Sequence, residues 1–357
     1  MTLTVLNARE LTPSHWERWT YLQRNNPDLD SPYFCADYFK IIASLREDVF
    51  VAILGPKDEP TVFFPFQRRR LGFGQPVGSR LSDFHGVIAL RDAAFDVPEL
   101  MKASGLVSWE FHALLVSQVP FASYHAETYD SHYLDTSGGL KGYEASIHRP
   151  GSQQRQKLRS YLRKATEKFG KVELVPHVAD PKVLDMLLDW KSAQYRESQT
   201  VDNFSYDWMR QLMHRIHAHQ GEDFAGMLSA LYFGDEIAAL HMGMRSRTVW
   251  HWWIMRHEEK FNEFRPGMLQ MYLTTDQAPR YGVKRLDLGY GDEGYKPRFR
   301  SGAFPVAAGR VEMPSLAVSM RRWREGLETW VRKSRLYPVI KYPGRLIKRV
   351  EKWSRFR

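Results

Sequence analysis

Three strand-like runs, 225–233, 236–244 and 248–255, follow one another with only Gly234-Asp235 and Arg245-Ser246-Arg247 between them. Connections that short leave neighbouring antiparallel strands as the simplest solution, so the segment reads as a β-meander. The pattern then switches. Phe264-Arg265-Pro266-Gly267 leads into Met268, Leu269, Met271, Tyr272 and Leu273 at helical spacing, and Gly282 suits the helix stop. Residues 285–288 return to strand. A strand at 171–175 and helices at 183–197 and 206–220 precede the meander. The second half of the chain is therefore expected to be an α/β unit.

The first half reads similarly. Residues 2–6 form a first strand. Helix 13–24 follows Thr12 and Ser14 as capping residues and carries Trp16, Trp19 and Leu22 on one side. A second helix is expected at 37–45. Strands are expected at 49–54 and 61–66 around the turn Gly55-Pro56-Lys57-Asp58, at 109–116, and briefly at 133–135. Residues 71–86 read as irregular, glycine-rich chain. From 148 to 170 the composition changes to a polar helix bearing Arg155, Lys157, Arg159, Arg163, Lys164 and Lys168, with Leu158 and Leu162 as a narrow apolar stripe. Such a helix fits either a solvated linker or a phosphate- or carrier-facing surface.

A chain of 357 residues exceeds one ordinary core, and 43% apolar content supports two. The expected division is 1–147, a basic linker helix at 148–170, 171–314, and a basic tail at 315–357. Cys35 is the only cysteine, which excludes an intramolecular disulfide, zinc ribbons and Fe–S clusters, and agrees with a reducing compartment. Neither a signal peptide nor a membrane-spanning apolar run is apparent, so a soluble, cytoplasmic protein is expected. The net charge of +10 belongs to the tail: residues 320–357 hold 13 Lys or Arg against 3 Glu, leaving 38 of each sign in the body. A nucleic-acid partner is therefore not expected of the body.

Two places can carry chemistry. Pro266 just inside a helix start, beside Gly267, leaves backbone N–H groups for an anion, and Arg265 adds a charge-assisted contact. Further on, Asp287-Leu288-Gly289-Tyr290-Gly291-Asp292-Glu293-Gly294-Tyr295-Lys296 ends a strand in a polar loop.

Together with the polar helix 152–168 and the strand Glu236-Ile237-Ala238-Ala239, these residues resemble the GNAT superfamily of acyl-CoA-dependent acetyltransferases. More narrowly, they look like the two-domain proteins of cellulose and exopolysaccharide biosynthesis, the CelD/BcsL type. The resemblance spans about 152–300; residues 1–145 agree in size and α/β pattern. It implies two tandem GNAT-like domains, each a mixed, largely antiparallel sheet flanked by helices. It also implies an acyl-CoA donor, with acetyl-CoA expected, held beside Arg265, Pro266, Gly267 and Met268. The glycine run usual in the GNAT phosphate loop is reduced here to Gly267.

Gly289, Gly291 and Gly294 also spell GxGxxG. However, Asp292 and Glu293 lie inside that loop and Pro297 follows it, which argues against a dinucleotide cradle. Acyl transfer needs a base for the acceptor and protonation of the departing thiolate. Asp292 or Glu293 is the candidate base, Tyr295 the acid and Lys296 an electrostatic clamp. His241 is a second candidate base or else a core histidine. No metal is expected: of His214, His217 and His219 only the first two share a helix face, and no Cys or acidic partner is expected nearby. Trp250, His251, Trp252 and Trp253 form an aromatic strand whose faces serve core packing and, alternatively, sugar stacking.

The tail places Trp323, Trp330 and Trp353 among basic residues, with Tyr337-Pro338 and Tyr342-Pro343 interrupting it. That composition suits a peripheral contact with an anionic inner-membrane surface or with a glycan synthase. The expected function is acyl transfer, by preference of acetyl, to a sugar or amino-sugar unit in polysaccharide biosynthesis. Alternatives are a catalytically silent binding protein of a glycan synthase and a Fem-like aminoacyltransferase.

Overall fold

The computed structural model describes residues 3–147, 153–291 and 294–333. In the first half, strand β1 (Leu3–Asn7) precedes helices α1 (Pro13–Arg24) and α2 (Ala36–Leu45). Strands β2 (Val49–Leu54), β3 (Val62–Arg68), β4 (Phe73–Gln75) and β5 (Ile88–Ala89) follow, then helix α3 (Val97–Ala103) and strands β6 (Ser108–Leu115) and β7 (His125–Asp135). Thr12 caps α1 in a reciprocal box with His15, and Pro13 opens the helix where its missing N–H costs nothing. Trp19, fully buried, donates its indole N–H to the Phe34 carbonyl at 2.9 Å and locks α1 onto the segment before α2.

Helices α4 (Gly139–Ser146) and α5 (Gln154–Phe169) open the second half, followed by strand β8 (Val172–Val175) and helices α6 (Pro181–Glu197) and α7 (Asp207–Ala218). The meander is β9 (Ala225–Phe233), β10 (Glu236–Arg245) and β11 (Val249–His257); helix α8 (Pro266–Gln277), strand β12 (Arg285–Tyr290), the short helix α9 (Lys296–Phe299), strand β13 (Gly302–Glu312) and helix α10 (Leu316–Lys333) complete the fold.

All strands join one mixed sheet in the order β1-β2-β3-β4-β6-β13-β7-β12-β11-β10-β9-β8, with β5 on β3. The halves meet through a strand exchange: β13 lies between β6 and β7, and β7 pairs with β12. Residues 302–312, expected within a unit ending at 314, thus complete the sheet of the first half. Strand β7 extends well beyond the expected 133–135. Its first residues, His125 to Asp130, are mostly exposed polar groups without apolar alternation, and they become strand because β13 supplies the ladder. Strand β13 was not anticipated at all; Gly302, Pro305 and Gly309 are poor strand formers that hide it.

Helices α1, α2, α6 and α7 share one face, where a continuous core runs from Trp19 and Phe39 to Leu188 and Met213 across both halves. On the other face α3 covers the first half. There α4, α5 and α8 cover the second half. The polar helix α5 buries Leu158 and Ala165 in this layer, so it packs on the sheet rather than bridging solvent. Its Arg159 pairs with Glu144 of α4, which also accepts the Tyr272 hydroxyl of α8 at 2.6 Å. The guanidinium of Arg159 holds the Glu144 carboxyl below its usual range.

Candidate active site

Strands β11 and β12 run parallel, yet pair only over Val249–His251 and Arg285–Asp287. Beyond that point β11 stays with β10 and β12 stays with β7, so the two strands part and leave a fork. Gly289 forms one side of its apex. It has φ +73°, beside a register shift against β7, and a Cβ there would stand 2.8 Å from Asp83 Oδ2. Only glycine meets both demands at low cost.

Asp83 arrives from the irregular segment of the first half and accepts the Nε2–H of His251 at 2.9 Å. His251 is fully enclosed, with Tyr33 and Phe84 edge-on to its ring, whereas the Asp83 side chain keeps 26% of its surface open. The carboxylate is therefore the accessible member of the pair. Among the described residues, His251 Nδ1 is buried without a partner, as is His112 Nε2. His112 packs 4.2 Å from His85 and 5.9 Å from Tyr290. Burial holds its pKa below the ordinary value, so it is neutral near pH 7. His85 is a structural histidine: Nε2–H donates to the Ser82 carbonyl and Nδ1 accepts the Ala113 N–H. Burial, then the Asp83 charge, raises the Tyr33 phenol well above its usual range, so it remains a neutral hydroxyl, donating to the Leu81 carbonyl. A carboxylate oriented by an imidazole, open on one side and dry on the other, is a competent proton acceptor.

The anion end lies along the parted length of β11. Helix α8 starts against Met255 and His257. Arg265 sits in the left-handed region (φ 52°, ψ 56°), exposed, with no ion-pair partner among the described residues. Its carbonyl accepts the N–H groups of both Met268 and Leu269, so these first-turn amides are closed. Pro266 and Gly267 are buried and Met268 is half-buried. Gly267 has a packing reason, since a Cβ would stand 2.6 Å from Met255 Cε. The pull on an anion here rests on Arg265 and the helix dipole.

The remaining predicted residues distribute differently. Asp292 and Glu293 lie outside the described residues. Lys296 is buried and its Nζ donates to the Tyr290 carbonyl at 3.0 Å, tying the loop back to the end of β12. Tyr295 packs with the Trp250, Leu286 and Phe299 core, on the sheet face opposite His251. His241 is wholly enclosed on that same face, stacked on Trp252 at 3.5 Å. Its Nε2 accepts the Trp253 N–H at 3.1 Å. Burial, then His251, lowers its pKa well below the ordinary value. The Nε2 lone pair of His241 is therefore engaged inside the protein. The tryptophans divide in the same way: Trp250 and Trp252 are core, and Trp253 is half-buried beside Tyr33.

His214 does have an acidic partner, Asp185, at 2.9 Å from the neighbouring helix, and His217 bonds the Val178 carbonyl. A cavity of about 630 Å³ lined by Arg24, Asp30, Asp223, Arg247 and Arg285 lies at the starts of β11 and β12, the end away from the fork.

Residues 152–297 match the family of acetyltransferase (GNAT) domains. Among solved structures, FemX is similar with a TM-score of 0.60 at 9% identity, covering 90% of this chain and 99% of its own. A conserved protein of unknown function from Bacteroides thetaiotaomicron gives 0.53 at 10% identity, covering 86% and 100%. The C-terminal domain of a protein assigned as a lysylphosphatidylglycerol synthetase of Agrobacterium fabrum gives 0.51 at 11%, covering 89% and 96%. At these identities the likeness is one of fold. No curated protein matches the sequence.

Proposed function

We propose that this chain, matched to the acetyltransferase (GNAT) domain over 152–297, transfers an acyl group, by preference acetyl, from a CoA thioester to a sugar or amino-sugar acceptor. Polysaccharide biosynthesis of the CelD/BcsL kind is the setting that the sequence resemblance supports. The observation that carries the reading is the fork between β11 and β12, with Asp83 at its apex and Arg265 beside its far end. The donor thioester supplies an activated acyl carbon. Arg265 and the start of α8 bind its diphosphate, and the parted strands orient the chain that leads to the apex. Asp83 takes the proton from the acceptor's amine or hydroxyl as the new bond to the acyl carbon forms; the C–S bond then breaks, and CoA leaves as a thiolate that is protonated by solvent. His251 holds the carboxylate in place through Nε2–H. Asp292 and Glu293, which follow β12 in sequence, are kept as further candidates for the base, and Tyr295 and Lys296 for support of the leaving group.

The likeness of FemX over nearly the whole chain favours one second reading, aminoacyl transfer to a cell-wall precursor. A silent binding role is the third. Thiol release from acetyl-CoA in the presence of a panel of amino sugars and oligosaccharides separates them. The acyl-transfer reading predicts acceptor-dependent thiol release that Asp83→Asn abolishes. Absence of release with every acceptor, despite bound donor, would contradict it.

A further inference from the structure

Helix α10 carries Leu316, Met320, Trp323, Leu327 and Trp330 at alternating spacings of four and three, which places all five on one stripe. In a helix docked on a globular body that stripe would face inward. Here it faces out: Leu316 is 85% exposed, Trp323 70% and Trp330 61%. The opposite side holds the helix to the protein. Val318 is buried, Arg321 and Arg322 pair with Glu312, Arg310 pairs with Glu325, and the Arg321 guanidinium lies over the Phe73 ring at 5.1 Å. The polar face is thus consumed by docking, and the apolar face is left to another occupant.

We propose that this stripe seats in the interface of an anionic lipid bilayer. Charge decides the occupant. Residues 320–357 hold the whole net charge of +10 while the body is neutral, so the stripe belongs to the one strongly basic stretch of the sequence, which complements an anionic surface. Tryptophan on such a stripe is the side chain that settles at headgroup depth, its ring apolar and its N–H wet. A second copy of this chain would set two strongly basic segments against each other, which disfavours self-pairing. The inference is independent of the acyl-transfer reading and stands or falls without it.

The test is co-sedimentation of the full chain with vesicles of phosphatidylcholine alone or with phosphatidylglycerol added. The variant is Trp323→Glu/Trp330→Glu, which spares every docking residue named above. Expected is pelleting with the anionic vesicles only, and at least a tenfold loss in the double variant at unchanged melting temperature. Equal pelleting of wild type and variant would overturn the proposal. So would absence of vesicle binding together with a concentration-dependent dimer that the variant dissolves. If the variant proves unstable, Trp323→Ser/Trp330→Ser replaces it with the same readings.

Discussion

His251 and Asp83 meet across 168 residues of sequence, Nε2 to Oδ2 at 2.9 Å, at the point where two parallel strands part. One residue comes from each half of the chain, so this contact exists only when the halves are docked. Their arrangement divides labour: the imidazole is enclosed and the carboxylate keeps part of its surface open.

Replacing Asp83 by Asn keeps the shape and removes the proton acceptor. Loss of kcat of about 10²–10⁴-fold is expected, with acetyl-CoA affinity unchanged. His251→Ala acts through Asp83: a smaller fall in kcat is expected, with KM for acetyl-CoA unchanged and partial rescue by His251→Gln, which a purely structural role would not separate. Stopped thiol-release assays at one pH read both effects.

Gly289→Ala forces a side chain into the left-handed region, at a cost of about 1–2 kcal/mol. It also pushes on Asp83 Oδ2. Both a lower melting temperature and a loss of turnover comparable to that of Asp83→Asn are expected. Normal turnover would detach the fork apex from catalysis.

Arg265 permits stability and binding to be separated. Arg265→Gly relieves the positive φ, worth up to about 1 kcal/mol, while Arg265→Ala does not. Both remove the charge, so both are expected to weaken acetyl-CoA binding about tenfold. Thermal melts and calorimetric titrations of the two variants check the pair.

His85 and His241 are buried with pKa values held well below the ordinary 6.5, burial being the main cause in each. A depressed pKa means that the unfolded chain binds protons more readily. Their contribution to stability is present above about pH 6.5 and is lost as pH falls below it. The melting temperature should fall between pH 7.5 and 5.5, and His241→Gln should make that slope shallower. An unchanged slope in the variant would remove His241 from the acid sensitivity.

The meander, α8 and β12 were legible because short turns and strict periodicity leave few alternatives, and the expected bounds lie within a few residues of those found. Strand β13 was not legible: Gly302, Pro305 and Gly309 contradict local strand preference, and its place between β6 and β7 is set by long-range pairing. The turn at Arg265 and the loop end at Lys296 were singled out from sequence. Asp83 was missed because it lies in glycine-rich chain read as irregular, and His251 because three tryptophans around it invited a packing interpretation. The one local hint was polar Ser82, Asp83 and His85 interleaved with Leu81, Phe84 and Val87. Nothing local could link that segment to β11.

In the proposed reaction the fork holds an acyl-CoA donor with its acyl end at Asp83. Calorimetric titration of acetyl-CoA into the wild-type chain and Asp83→Asn tests it most directly. Dissociation constants between about 1 μM and 1 mM, equal in the two proteins and weakened in Arg265→Ala, are predicted. No binding up to millimolar acetyl-CoA, or binding indifferent to Arg265, would contradict it.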